Sequence, residues 1–411
     1  IEWLYAQRAP NIKWELDTMK VLLSLMGDPQ ARLTPVLVGG TNGKGSVAAF
    51  LHAMGCEAGL CTGLFTSPHL IRPEERIRVG RDDIAPTEFA GRGTAMKELV
   101  EREWPEGSLP RHPSFFEMTA AMSMAAMADG ETELAVLEVG LGGRLDATNA
   151  TEPVLSIVTG IGLDHTKSLG DTTAKIAGEK AGILRPGVPL VTGVTDEPAR
   201  RVLVERAESL GAPVHHVPST CRPREGPGGT LDLETPVRRY EGFEIGLAGE
   251  HQWSNAAVAV RGAEVLAESL GLPLGEEAIR RGLASVRWAG RLESIPGEPP
   301  FLLDGAHNPD GCEALAAHLR RLRERDPGLG PVVLLFAAMS DKNVDTMLGI
   351  LSRGADRAVV TRAGVQRSAE PEVLLEMARP VFPGARRALD SDGALAVARG
   401  EAGPRGRVVV A

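Results

Sequence analysis

Short apolar runs alternate with longer stretches of helical period for most of the chain. Val36–Val38, Leu134–Val139, Val154–Val158 and Pro189–Val191 read as buried strands. Gly45–Met54, Phe116–Ala128 and Thr173–Ala181 read as helices between them. This alternation predicts a parallel sheet with helices on both faces. From Ala212 to Ile245 the pattern changes to Pro, Gly and Arg without helical period, which reads as hairpins and loops attached to the first domain. A long helix is expected over His251–Leu270. A second β/α series follows at Phe301–Leu303, Val332–Phe336 and Ala358–Val360. The Pro/Gly-rich stretch Ile295–Pro300 reads as the linker, giving a first domain over 1–294 and a smaller one over 301–411. Val408–Val410 reads as a closing strand with a trailing element expected beyond it, and the opening Ile1 implies a start further upstream.

Composition narrows the class. At 411 residues the chain is too long for one ordinary core, so two domains are the default. Hydrophobic residues make up 43% and charged residues 24%, an ordinary globular balance. No apolar run is long enough to cross a bilayer and no secretory leader is visible, so no membrane role is expected. The net charge of -9 argues against nucleic acid as a partner. Cys56, Cys61, Cys221 and Cys312 form no C-x-x-C pair, which argues against structural zinc and for a reduced, cytoplasmic setting. The run Arg320–Arg325 reads as the solvated face of a helix.

Candidate chemistry begins at Gly40-Thr41-Asn42-Gly43-Lys44-Gly45-Ser46, between a strand and a helix. Glycines let the backbone curl so that its N–H groups face phosphate oxygens, and the helix N-terminus adds a favourable dipole. Lys44 supplies positive charge and Ser46 a hydroxyl for a metal ion. The pattern departs from the common phosphate loop: Val38 stands where its first Gly would be, and Gly45 separates Lys44 from Ser46. Glu138 ends an apolar strand and His165 lies just past the next. In a parallel sheet both strand ends point to the edge that carries the loop. A carboxylate, an imidazole and a hydroxyl at one edge can share a divalent ion.

The loop form resembles that of the Mur ligase superfamily, most closely its folylpolyglutamate synthase/dihydrofolate synthase branch. The resemblance continues through Thr66-Ser67-Pro68-His69-Leu70, Glu75-Arg76-Ile77 and Leu137 to Asn149. It extends to Gly162-Leu163-Asp164-His165, Gly178-Glu179-Lys180-Ala181-Gly182, Gly290-Arg291-Leu292-Glu293 and Asp304-Gly305-Ala306-His307-Asn308-Pro309. It implies an α/β protein: a P-loop parallel-sheet ATPase domain followed by a smaller Rossmann-like C-terminal domain.

The activity implied is ATP-dependent ligation of L-glutamate to a folate, and to dihydropteroate, through an acyl phosphate. ATP would be held by Thr41, Asn42, Gly43, Lys44, Gly45 and Ser46, with Asn255 at the adenine and Arg291 on the nucleotide. Asp304 and His307 would join it from the second domain. Ser46, Glu138 and His165 would hold two magnesium ions, and Ser67, Arg76 and Asp146 would take the pterin–carboxylate side. A lysine at position 180 is awkward there. A unit charge about 5 Å from a divalent ion costs about 7 kcal/mol at an effective dielectric near 20. In the family the matching lysine is carbamylated, hence an anion, and the same is implied for Lys180. Catalysis would then rest on Lys44, Glu138, His165 and Lys180, in a monomer.

Two rivals are weighed. A peptidoglycan-precursor ligase of the same superfamily usually carries a nucleotide-sugar domain ahead of the loop, where this chain has Ile1–Pro35. A nucleotide switch that ligates nothing would need neither the metal set nor the second-domain motif.

Overall fold

The computed structural model describes residues 2–7, 15–365 and 367–411. Their contacts divide the chain into one unit of Ile1–Gly246 with Trp253–Val286, and another of Leu247–Gln252 with Arg287–Ala411.

The first unit is built on eight strands: β1 (Pro35–Gly39), β2 (Thr62–Phe65), β3 (Ile77–Val79), β4 (Asp82–Asp83), β5 (Leu134–Glu138), β6 (Leu155–Val158), β7 (Leu190–Thr192) and β8 (Val214–His216). Their order is β4-β3-β2-β5-β1-β6-β7-β8. From β2 to β8 every pairing is parallel, while β3 and β4 are added antiparallel at one edge. β1 and β5 are buried along their whole length, which is why their sequences are continuously apolar rather than alternating. The register sets Val38 beside Glu138, Phe65 beside Leu137 and Gly39 beside Val158. The loops that leave β1, β2, β5 and β6 therefore all emerge at one sheet edge.

After β8 come β9 (Arg222–Glu225), β10 (Leu231–Glu234) and β11 (Arg239–Phe243), an antiparallel sheet of their own. The hairpins expected over this stretch are present, but Val214–His216 joins the main sheet and Val217–Thr220 is a short helix. The buried carboxylate of Glu264, on the helix His251–Leu270, holds the small sheet. It accepts from Thr235 Oγ1 at 2.6 Å, Tyr240 Oη at 2.9 Å and Arg261 Nη1 at 2.9 Å. Three donors, one of them a guanidinium, compensate a charge that would otherwise be costly to bury.

The second unit carries β12 (Glu293–Ile295), β13 (Phe301–Leu303), β14 (Val332–Phe336), β15 (Arg357–Val360), β16 (Arg386–Arg387) and β17 (Arg407–Val410), in the order β12-β13-β17-β14-β15-β16. Alternate residues of β14 face two separate apolar clusters, so this sheet too is covered on both faces. β17 lies between β13 and β14, parallel to both. Residues 295–300 do not separate the units. β12 pairs antiparallel with β13, so the Pro/Gly-rich stretch is a hairpin connection, and the units part between Val286 and Arg287. Pro and Gly mark a tight reversal as readily as a linker, and composition alone does not distinguish them.

Candidate active site

The loop after β1 leads into the helix Lys44–Glu57, and it is pinned from the β6 side. Thr41 N–H donates to the Gly160 carbonyl at 2.6 Å, and Thr159 Oγ1 donates to the Asn42 carbonyl at 2.6 Å. Gly40 and Gly43 both have positive φ, at 141° and 84°. A side chain at Gly40 would run into Thr159, and one at Gly43 into the amide of Asn255. Glycine is thus required twice, for backbone conformation and for close approach. Asn255, expected at an adenine, packs against the loop itself.

Lys44 Nζ donates to the Thr41 carbonyl at 3.1 Å, folded over its own loop. Ser46 is buried in the first helical turn. Lys180, at the end of the helix Thr173–Lys180, is buried and donates to the Gly40 carbonyl at 2.7 Å. Burial first, and then the charge of Lys44, bring its amine down to about 7. Two lysines therefore flank one loop, and the fold discourages the second from carrying its proton.

Glu138 is buried at the end of β5 and accepts from the Ser67 N–H at 3.0 Å. His165 sits in left-handed backbone at φ 49°, with Nε2 3.9 Å from Asp164 Oδ2. Among the described residues no three His, Cys, Asp or Glu side chains form a group able to hold a metal. A divalent ion here would draw on the Ser46 hydroxyl, Glu138 and His165 and complete its shell with phosphate oxygens and water. The hydroxyl and the carboxylate suit a hard ion that keeps part of its hydration, while the imidazole also suits a softer divalent ion.

Beside this edge lies a cavity of about 280 Å³ whose walls include Ser67, Arg76 and Asp146 together with Phe115, Phe116 and Leu141. Asp146 Oδ2 accepts from the Leu141 N–H at 2.9 Å, and Oδ1 from the Thr148 N–H and hydroxyl at 3.0 and 2.7 Å. Burial raises its pKa against those bonds. It caps a local turn and lines the cavity at once. The buried Arg76 has its guanidinium carbon 5.1 Å from the Phe115 ring centre. Arg111 makes a two-pronged pair with Glu117 at 2.8 and 2.7 Å, while its buried Nε has no hydrogen-bond partner among the described residues.

No motif named from the sequence includes Arg111 or Glu117, and Asp164 enters there only as part of Gly162-Leu163-Asp164-His165. Ser114-Phe115-Phe116-Glu117 is a helix capping box, with Ser114 N–H and hydroxyl on the Glu117 carboxylate at 2.8 and 2.7 Å. That spacing was a legible sign of where the cavity helix Phe115–Asp129 begins.

In the second unit, Arg291, Asp304 and His307 gather around Gly305. Asp304 follows β13 and accepts from the Leu292 and Ala306 N–H groups, both at 2.9 Å. His307 Nδ1 is 2.8 Å from the Gly305 carbonyl, and a side chain on Gly305 would meet Arg291 Nη1. The candidate residues thus fall into three groups: loop and sheet edge, cavity, and second-unit turn.

Residues 290–411 match the family model "Mur ligase, glutamate ligase domain". The chain is 36% identical over 351 residues to the dihydrofolate synthase/folylpolyglutamate synthase of Bacillus subtilis, covering 84% of this chain and 80% of that protein. It superimposes on Mycobacterium tuberculosis folylpolyglutamate synthase complexed with ADP with a TM-score of 0.90 and 32% identity, over 99% of this chain and 93% of that one. A bifunctional folylpolyglutamate synthase/dihydrofolate synthase with Mn, AMPPNP and L-glutamate bound gives a TM-score of 0.84 at 27% identity, over 99% and 93%.

Proposed function

Because the chain belongs to the folylpolyglutamate synthase/dihydrofolate synthase family of Mur-type ligases, we propose that it joins L-glutamate to a folate carboxylate at the expense of ATP, and to dihydropteroate as well. The observation that carries this reading is the adjacency of two sites at one sheet edge. A glycine loop with Lys44 stands beside a cavity lined by Ser67, Arg76 and Asp146, and Glu138 bonds to Ser67 between them.

In this reading the substrate carboxylate attacks the γ-phosphorus of ATP. The bond to ADP breaks, leaving an acyl phosphate. The glutamate amine then attacks the acyl carbon, phosphate departs, and the amine loses a proton to give the amide. Loop N–H groups and Lys44 gather charge on the phosphates, the usual main contribution in phosphoryl transfer. Magnesium held by Ser46, Glu138 and His165 would neutralise phosphate charge, and the related complex has Mn, AMPPNP and L-glutamate bound. Lys180 would serve as its carbamate, and its low-lying amine favours that adduct because only a neutral amine adds to carbon dioxide. Arg291, Asp304 and His307 are assigned to the nucleotide. The protein is read as a cytoplasmic monomer with no nucleic-acid partner, and no helix among the described residues is long and apolar enough to cross a membrane.

ADP release with dihydropteroate and with tetrahydrofolate, each with and without glutamate, tests this. Turnover should require both an acid and glutamate. Release that ignores glutamate would overturn the ligase assignment and favour a nucleotide switch. A requirement for a nucleotide-sugar acid would favour the peptidoglycan reading.

A further inference from the structure

Four side chains from three separate stretches close one corner of the cavity. Arg76 Nε donates to His69 Nδ1 at 2.8 Å. His69 Nε2 lies 3.2 Å from Tyr5 Oη, on the short helix Glu2–Ala6. Tyr5 stacks on Phe115, with ring centres 5.3 Å apart and planes inclined by 12°. Phe115 in turn lies under Arg76 and edge-on to His69, with ring centres 6.2 Å apart. Arg76 and Phe115 line the cavity, whereas His69 and Tyr5 stand behind them.

The chemistry of these bonds fixes a protonation state. A guanidinium Nε can only donate, so His69 Nδ1 must carry a lone pair. The imidazole proton is then on Nε2 and is directed at the tyrosine oxygen. A doubly protonated ring would lose its acceptor and place a second positive charge against Arg76. The Phe115 ring packs against the guanidinium carbon, and His69 holds the guanidinium at its Nε edge. Both contacts together restrain rotation about the last side-chain bonds of Arg76.

We propose that His69, held by Tyr5, is a positioning residue for the acid substrate: it sets the orientation in which Arg76 meets that substrate's carboxylate or pterin. This rests on the cavity being the acid-substrate site, as read above. His69 itself touches no reacting atom.

Steady-state kinetics of the full chain separate the possibilities. His69→Leu should raise KM for tetrahydrofolate about tenfold, the loss of one hydrogen bond to a charged group. Turnover number and KM for ATP should stay within about twofold. His69→Asn offers an amide oxygen near the lost Nδ1 and should hold KM within about threefold of the parent. In an Arg76→Ala background, His69→Leu should add nothing further. Equal damage by Leu and Asn, or full additivity with Arg76→Ala, would mean His69 merely packs, and would overturn the proposal. A harmless His69→Leu beside a harmful Arg76→Ala overturns it while leaving the cavity assignment standing. An Arg76→Ala with parental KM overturns both.

Discussion

Lys180 shows what a single residue's surroundings decide. Buried beside Lys44 and bonded to the Gly40 carbonyl, it sits where a second cation is unwelcome. If it works as a carbamate, Lys180→Glu, which keeps negative charge on a shorter arm, should retain more ligase activity than Lys180→Arg. The reverse order would show that a cation is needed. His52 makes the opposite kind of case, a buried group used for structure. Burial lowers its pKa from 6.5 to about 4, and its ring meets the Gly80 carbonyl at 2.8 Å. The unfolded chain takes up that proton first, so this contribution is intact above pH 6.5 and is lost as pH falls towards 4. The loss is on the order of 3 kcal/mol. The urea midpoint should fall across that window, and His52→Gln, which keeps an N–H donor, should flatten the fall. At this scale the sequence names Lys44, Glu138 and Asp146 as candidates because they sit in ordered motifs, and the structure sets the first two at the sheet edge and the third in the cavity wall. The sequence does not point to Arg111 or Glu117, whose place in the cavity wall comes from a local ion pair that periodicity does not describe.

Elements were legible wherever one face, or both, had to be apolar. The helix over His251–Leu270 and the strands Phe301–Leu303 and Val332–Phe336 stand where the pattern put them. Elsewhere bounds moved by a few residues, as capping rather than hydrophobicity sets where an element stops. What periodicity left hidden is how closely two elements approach. The helix Glu276–Ser285 crosses Lys44–Glu57 at Gly282, where an added Cβ would lie 2.7 Å from the Met54 backbone. Backbone gives way less readily than a side chain. Gly282→Ala should therefore destabilise the first unit by about 1–3 kcal/mol despite its better helix propensity, measurable as a lower urea midpoint. A midpoint at or above the parent's would mean that the crossing relaxes without cost.

At the scale of the whole molecule, two units with separate apolar clusters follow from length and from the restart of the β/α pattern. The division at residue 286 did not show, because the turn at 295–300 carries the stronger sequence signal. The position of β17 has a consequence for how the protein is made. β13 and β14 have β17 between them, and roughly 100 residues are translated after β13 before it exists. At about 5–20 residues per second, β13 waits on the order of 5–20 seconds, and β14 somewhat less, without their central neighbour. The first unit's sheet has all its strands long before. Nascent chains stalled with residue 400 just outside the ribosome should show a protease-resistant first unit and a digestible second one. Stalling with residue 411 outside should protect both. The second unit should thus be the part of this protein longest exposed during synthesis, its exposure timed by strand order rather than by final stability.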